Sequence, residues 1–428
     1  CFLSGIPEEE VVRRTIHRYY DSGQSVLVRE MIGNVYQECK GFGKKGGLTK
    51  EQYLNMQTEE FMNRRYEFRY NTQMSEVEYR ERCSFYFRFR PLDKRAQNSI
   101  LLDAQSEGIA VWDRDVDRYL HSNRVPVYNP LEEFIFHLPN WDQKDRIAEL
   151  AGRVPCDNPH WTMLFHRWFL NMVAHWRGLG NRMHANSTSP LLIGAQGYRK
   201  STFCRIILPP ELRFGYTDSL DFGSKRDAEM YLGRFLLVNI DEFDQVSATQ
   251  QGFLKHILQK PVVNARRPYG TSVVEMRRYA SFIATSNHKD LLTDPSGSRR
   301  FICIEVKGVI DTSRPIDYDQ LYAQAMHELA HGERYWFNDA DEYVMTEANR
   351  EFQQYSPEEQ FLFRYFRMAE AGEEGEWMAP AEILKILHQE VDIPLNAKRV
   401  AAFGRILRKQ GIPSRHTRKG TVYQLVRA

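Results

Sequence analysis

The stretch Leu191-Leu-Ile-Gly194-Ala-Gln196-Gly197-Tyr-Arg199-Lys200-Ser201-Thr202-Phe203-Cys-Arg-Ile-Ile-Leu208 decides how the chain is read. Three apolar residues suit a buried strand, two glycines suit a turn, and the segment from Phe203 suits a helix. Strand, glycine turn, Lys-Ser and helix follow in the order that a phosphate-binding loop requires. Glycines let the backbone curl so that successive N–H groups face a phosphate. Lys200 adds a point charge for the β- and γ-phosphates, and the Ser201 hydroxyl reaches a magnesium ion. The helix N-terminus adds partial positive charge. Gly194, Gln196, Gly197, Arg199, Lys200, Ser201 and Thr202 are thus the expected lining of an ATP site. The position before the lysine is normally glycine. Arg199 there either crowds the phosphates or points outward.

Further along, Phe235-Leu-Leu-Val-Asn-Ile240 reads as a buried strand that ends in Asp241-Glu242. Asp241 is expected to hold magnesium together with Ser201, and Glu242 to orient and deprotonate the attacking water. Taken alone, Asp241-Glu-Phe-Asp244 would pass as a helix cap; after a phosphate loop at this spacing, the catalytic reading is stronger. A third strand, Ser281-Phe-Ile-Ala-Thr-Ser-Asn287, ends in an amide placed to sense the γ-phosphate. Gly297-Ser-Arg299-Arg300-Phe301 precedes a fourth, and either arginine suits a site on a neighbouring subunit. Between the acidic pair and Asn287 lie Lys255, Arg266, Arg267, Tyr269, Arg277 and Arg278 around Gly270. Cations that neutralise phosphates and an aromatic that stacks on a base suit a hairpin gripping a nucleic-acid strand.

Bulk properties are ordinary. The chain has 428 residues, a formal net charge of +2, 42% hydrophobic and 27% charged residues, so net charge names no partner. Its six cysteines, at 1, 39, 83, 156, 204 and 303, form no Cys-x-x-Cys pair. That argues against a zinc ribbon and for a reducing cytoplasm. No apolar run reaches the roughly 18 residues of a membrane span, and no signal peptide is visible. The chain begins at Cys1 without Met, which suggests an upstream part.

Residues 1–122 are expected to form an N-terminal α+β region. Polar helices surround the Gly41–Gly47 break, alternating Tyr66, Phe68, Tyr70 and Phe85, Phe87, Phe89 suggest two strands, and 93–122 looks helical. A helical region follows over 123–187, then a strand–helix core over 188–355 whose alternation predicts a parallel sheet covered on both faces. Residues 356–376 are acidic and read as a linker. The tail, 377–428, reads as a winged-helix-like basic module. From Asn396 to Ala428 it carries nine Lys/Arg and no acid. Val400, Phe403 and Leu407 mark a helix face, and Arg405, Arg408, Lys409, Arg418 and Lys419 are candidate phosphate contacts.

These motifs, in this order, resemble the superfamily 3 helicases of the AAA+ class. More closely, they resemble the virulence-associated protein E family of phages and mobile elements. The matching stretches are Pro190–Thr202, Asn239-Ile-Asp-Glu-Phe243, Arg267-Pro-Tyr-Gly270, Thr285-Ser-Asn287 and Leu292–Phe301, with Asn129-Pro130 and Leu138-Pro-Asn-Trp-Asp142 like the family's lead-in to a helical collar. The resemblance covers about residues 125–335. It implies an α/β P-loop NTPase core, ATP and Mg2+ as cofactors, and a DNA-dependent ATPase and helicase of a replication module. It also implies a homo-oligomeric ring, of six or so subunits, acting on single-stranded DNA or a replication-origin duplex, often with a primase-like upstream domain. The alternative is a nucleotide-gated DNA-binding regulator without turnover, should Arg199 disable hydrolysis.

One motif points elsewhere. His327-Glu328-Leu-Ala-His331 spells the zincin pattern, two histidines on one helix face with a glutamate between them. A third ligand would have to come from a residue such as Glu347 or Glu351. Tyr322, Ala325, Met326 and Leu329 give the same helix an ordinary apolar face, and Gly332 stops it. A protease would leave the nucleotide constellation unexplained.

Overall fold

The computed structural model describes residues 9, 11–12, 29–35, 49–179, 186–220, 224–266, 273–292, 299–353, 357–369, 373–390, 396–418 and 420–428. The chain divides into two compact units, Cys1–Pro130 and Leu131–Ala428.

In the first unit, β1 (Tyr66–Asn71) and β2 (Glu76–Glu81) pair antiparallel, β3 (Arg90–Pro91) extends β2, and β4 (Val127–Tyr128) lies parallel to β1. Alternation sends Tyr66, Phe68, Val77 and Tyr79 into a core shared with the helices Lys50–Arg65, Lys94–Ser106 and Asp113–Leu120. The residues between them, Glu67, Arg69, Glu78 and Arg80, sit in cross-strand register and form ion pairs: Arg69 to Glu78 at 2.6 Å and Arg80 to Glu67 at 2.7 Å. The second strand is thus Glu76–Glu81, not the stretch around Phe85 and Phe87; those two residues lie between β2 and β3 and are exposed. The Gly41–Gly47 break lies outside the described residues.

The second unit is built on a five-stranded sheet of β5 (Ser189–Ile193), β6 (Tyr216–Thr217), β7 (Leu237–Ile240), β10 (Ser281–Ser286) and β11 (Phe301–Glu305). Its order is β11-β5-β10-β7-β6, and every pair is parallel. All but β6 are buried almost throughout, as continuous apolar runs in a parallel sheet must be. One face contributes Leu192, Leu237, Ile283 and Ile304 to a core with the helices Trp161–Arg177, Lys200–Ile206 and Tyr318–Ala330. The other contributes Leu191, Val238, Phe282 and Phe301 to a core with the helices Lys225–Arg234 and Ala248–Leu258. The expected collar-like segment over 123–187 is no separate layer. The Trp161–Arg177 helix is buried nearly all round, and Trp168 Nε1 donates to the Phe282 carbonyl at 3.1 Å. β8 (Val262–Arg266) and β9 (Val273–Arg277) form the expected antiparallel hairpin.

The C-terminal part has the helices Pro357–Tyr365, Pro380–Glu390 and Ala397–Lys409. Its strands are β12 (Phe366–Arg367), β13 (Glu376–Met378), β14 (Ser414–Thr417) and β15 (Gly420–Arg427). β15 pairs antiparallel with each of the other three. Phe403 and Leu407 enter its core, and Val400 packs against it. The acidic stretch 356–376 is no linker, because it supplies a helix and a strand to this module. Glu358 accepts from Arg399 at 2.7 Å, Glu359 from Gln410 at 2.5 Å, and Leu362 and Phe366 join the core. Two of its acids, Glu358 and Glu359, are thus bonded to the basic helix and its C-terminal end, while Glu373 pairs with Arg367 at 2.6 Å.

Candidate functional site: a loop–strand cluster at the C-terminal edge of the sheet

Because all five strands run parallel, their C-terminal ends share one edge, where open α/β sheets present their ligand crevices. β10 lies between β5 and β7. The glycine loop after β5 and the acidic turn after β7 therefore flank the end of β10, and residues about 90 positions apart in sequence meet there. Gly194 opens the loop, and its N–H donates to the Ser286 carbonyl at 3.1 Å. A Cβ at Gly194 would stand 2.9 Å from the Val306 carbonyl, so only glycine fits that approach. Gly197 takes φ +87°, the left-handed turn that carries the chain back towards the helix.

Lys200 is 7% exposed, and its Nζ donates to the carbonyls of Gly194 (2.7 Å) and Ala195 (2.9 Å) and to Asn287 Oδ1 (3.0 Å). Burial outweighs the nearby Asp241 and Asp244 carboxylates and holds its ammonium below the usual lysine range. Ser201 Oγ donates to Asp241 Oδ1 at 2.9 Å, and Thr285 Oγ1 donates to the same oxygen. Ser286 Oγ donates to Asp244 Oδ1 at 2.8 Å. Thr285 and Asp244 were not assigned from sequence. The signal available was their position: a hydroxyl at the end of the strand wedged between the other two, and a second acid on the same turn.

Glu242 is exposed and takes φ +53°, a left-handed turn after which Phe243 is fully buried against Phe301. Its Oε2 accepts from Gln245 Nε2 at 2.6 Å. Arg199 also adopts a left-handed conformation, φ +59°, which is why glycine would suit the position. Its side chain is exposed and reaches Thr312 Oγ1 at 3.5 Å, so of the two alternatives it points outward. Gln196, Gly197 and Thr202 are exposed and Ser201 is partly so, all on the same loop–helix junction. Arg299 donates to Glu342 Oε2 at 3.0 Å, and Arg300 is partly exposed beside it.

The expected nucleic-acid residues divide. Arg278 is 1% exposed, and its guanidinium donates to the carbonyls of Asn186, Leu258, Lys260 and Ala280, which removes it from any nucleic-acid surface. Arg277 is exposed and donates to the Trp176 carbonyl at 3.3 Å. Lys255 is partly exposed on the Ala248–Leu258 helix. Arg405, Arg408 and Arg418 are exposed on the C-terminal module. Arg267, Tyr269 and Lys419, and the side chains of Arg266 and Lys409, lie outside the described residues.

The zincin pattern does not assemble. His327 and His331 stack on each other at 4.0 Å, while Glu328 accepts from His166 at 2.6 Å and from Gln324 at 2.9 Å. Among the described residues, no group of three metal-ligating side chains occurs, and no helix is long and apolar enough to cross a membrane. A cavity of about 500 Å³ by the edge strand β11, lined by Asp157, His160, Glu305 and Lys307 among others, shares no residue with the phosphate-loop cluster.

A family model described as the virulence-associated protein E-like domain matches residues 135–354. A second, a domain of unknown function described from B. theta (DUF3874), matches residues 355–425. No curated protein matches the chain. Among solved structures, the chain is similar to the apo C-terminal region (305–718) of NrS-1, at 11% identity over 88% of this chain and 99% of that chain, with a TM-score of 0.45. An A-form apo structure of the same region gives 12% identity over 87% and 99%, with a TM-score of 0.42.

Proposed function

The chain belongs to the virulence-associated protein E-like family, and from that membership and the site's geometry we propose that it is a magnesium-dependent ATPase that moves along DNA in a replication module. The observation that carries the reading is the meeting of Lys200, Ser201, Asp241 and Asn287 at one end of three adjacent parallel strands.

The donor set fits a magnesium nucleotide. A buried ammonium held only by neutral loop carbonyls and an amide suits phosphate oxygens, and a hydroxyl sharing a carboxylate oxygen with a second hydroxyl suits a hard cation. Ser201 and Asp241 would hold the metal, which when bound neutralises charge on the phosphates. Lys200 would exchange its carbonyl and Asn287 contacts for phosphate oxygens. Asn287, released from Lys200, would turn its amide to the γ-phosphate. Glu242 Oε1 or Oε2 would take the proton of the attacking water, with Gln245 fixing the carboxylate plane. Arg299 would leave Glu342 to reach a neighbouring subunit's nucleotide in a ring. The β8–β9 hairpin and the basic C-terminal helix are the proposed DNA-contacting parts, on single strands or an origin duplex. The outward course of Arg199 supports turnover over the reading of a nucleotide-gated regulator.

The test is phosphate release from ATP with and without single-stranded DNA. Wild type is expected to turn over and to be stimulated. Lys200→Ala is expected to be inactive, and Glu242→Gln to bind ATP but lose about 10²–10⁴-fold in rate. DNA-stimulated turnover that survives Glu242→Gln would sink the assignment.

A further inference from the structure

The segment Arg82-Cys-Ser-Phe85-Tyr86-Phe87-Arg88-Phe89-Arg90, between β2 and β3 of the first unit, is used by nothing described above. Three consecutive aromatics stand out from the protein: Phe85 is 95% exposed, Tyr86 79% and Phe87 76%. Leaving one large apolar side chain in water is common; leaving three in a row is not, and such a patch marks a contact surface.

The exposure is built in. Arg80 Nη1 donates to the Phe87 carbonyl at 3.0 Å, and the Tyr86 N–H donates to Ser84 Oγ at 3.2 Å. Phe89, next along, turns inward and is sandwiched by the guanidinium groups of Arg69 (4.0 Å to the ring centre) and Arg80 (4.7 Å). Arg82 is tied down as well, with Nε donating to the carbonyls of Asn63 and Tyr66. The backbone is therefore fixed at both ends of the aromatic run, and the three rings take no part in fixing it.

Charge narrows the partner. From Arg82 to Leu92 the chain has three arginines and no acid. Arg90 is paired with Glu81 at 2.9 Å, while Arg88, within the aromatic run's flank, is exposed and has no acidic partner among the described residues. Rings that offer flat faces, interleaved with cations, match a polymer of flat bases on an anionic backbone. In a duplex the base faces are already stacked, so the match is to a single strand. We propose that the Arg82–Arg90 loop is a single-stranded nucleic-acid contact in which Phe85, Tyr86 and Phe87 stack on unpaired bases and Arg88 neutralises backbone phosphate. This deepens the proposed function, on which it rests for the class of polymer, yet it requires no nucleotide and no turnover.

The experiment measures fluorescence anisotropy of a labelled oligothymidylate of about 20 nucleotides with the full chain and no ATP, and maps photocross-links from iododeoxyuridine by mass spectrometry. The Phe85→Ala/Tyr86→Ala/Phe87→Ala variant is expected to bind at least about tenfold more weakly. Its melting temperature and its DNA-free ATP turnover should match wild type, since the rings are exposed. Arg88→Ala should lower the slope of log affinity against log salt by about 0.7. Cross-links are expected on the peptide carrying residues 85–87. Wild-type affinity in the triple variant, or cross-links confined to other peptides, would overturn the proposal. So would a triple variant that keeps its DNA affinity but changes its sedimentation, which would give the rings to a second copy of the chain. A wild type that cross-links through this loop yet never hydrolyses ATP would refute the motor reading and leave this one standing.

Discussion

Arg278→Met separates two roles that the sequence could not. The side chain is buried, and its three nitrogens donate at 2.7–2.9 Å to four carbonyls: Leu258 at the end of one helix and Lys260 just beyond it, Ala280 just ahead of β10, and Asn186 ahead of β5. Methionine fills similar space but leaves all four acceptors without that donor. Hydrogen bonds to a charged group are each worth about 1.5–3 kcal/mol, so the gross loss is roughly 6–12 kcal/mol. Against it stands the desolvation of the guanidinium, several kcal/mol, whose mark is a pKa pulled down by burial to about 9. The net cost expected is about 3–5 kcal/mol. At roughly 2 °C per kcal/mol for a unit of this size, the melting temperature should fall by about 6–10 °C. Calorimetry measures the shift, and DNA titration at several salt concentrations measures the other role. A phosphate contact would instead leave the melting temperature unchanged and reduce the salt slope by about 1. That pattern would refute the structural role argued here.

Three further outcomes are expected. Arg199→Gly relieves a left-handed residue costing about 1–2 kcal/mol but loosens the unfolded chain by a similar amount, so melting within about 2 °C of wild type and retained turnover are expected. A tenfold loss of turnover would show that the guanidinium acts at the site. Burial pulls the His166 pKa down, but the hydrogen bond and charge of Glu328 outweigh it and leave it raised. Its contribution is therefore complete below the ordinary pKa of about 6.5 and is lost as pH rises through the folded-state value. The melting advantage of wild type over His166→Gln should shrink between pH 5.5 and 8.5, and an advantage that grew with pH would contradict the pairing. Finally, metal analysis of the purified chain should find no stoichiometric zinc, and His331→Ala should leave the metal content unchanged, because the His327 and His331 rings stack on each other and no third ligand joins them among the described residues.

What was legible in the sequence was whatever depends on local order. The apolar runs at Leu191–Ile193, Phe235–Ile240, Ser281–Thr285 and Phe301–Val306 all became strands of one parallel sheet, because a strand buried on both faces must be apolar throughout. β6, with two residues, left no such run. What stayed hidden were charges whose partners lie far along the chain. Arg278 reads as one more cation in a basic stretch, and only folding brings Asn186 and Leu258 to it. Glu358 and Glu359 read as linker acids until Arg399 and Gln410, some 40 to 50 residues later, are placed against them. A cation's type and neighbours in sequence thus say that it needs an anion or a carbonyl, but not whether the protein or a ligand supplies it. Lys200 is the instructive case. Its ammonium is satisfied internally by two carbonyls and Asn287, all of them neutral, with no anion in direct contact. Arg278 and Lys200 are both buried and hydrogen-bonded, but the residues around Lys200 at the end of the sheet, Gln196, Gly197, Arg199 and Asn287, are exposed. The exposure of the surrounding loop, rather than the count of hydrogen bonds, is what makes one cation a bolt and the other a place for a phosphate.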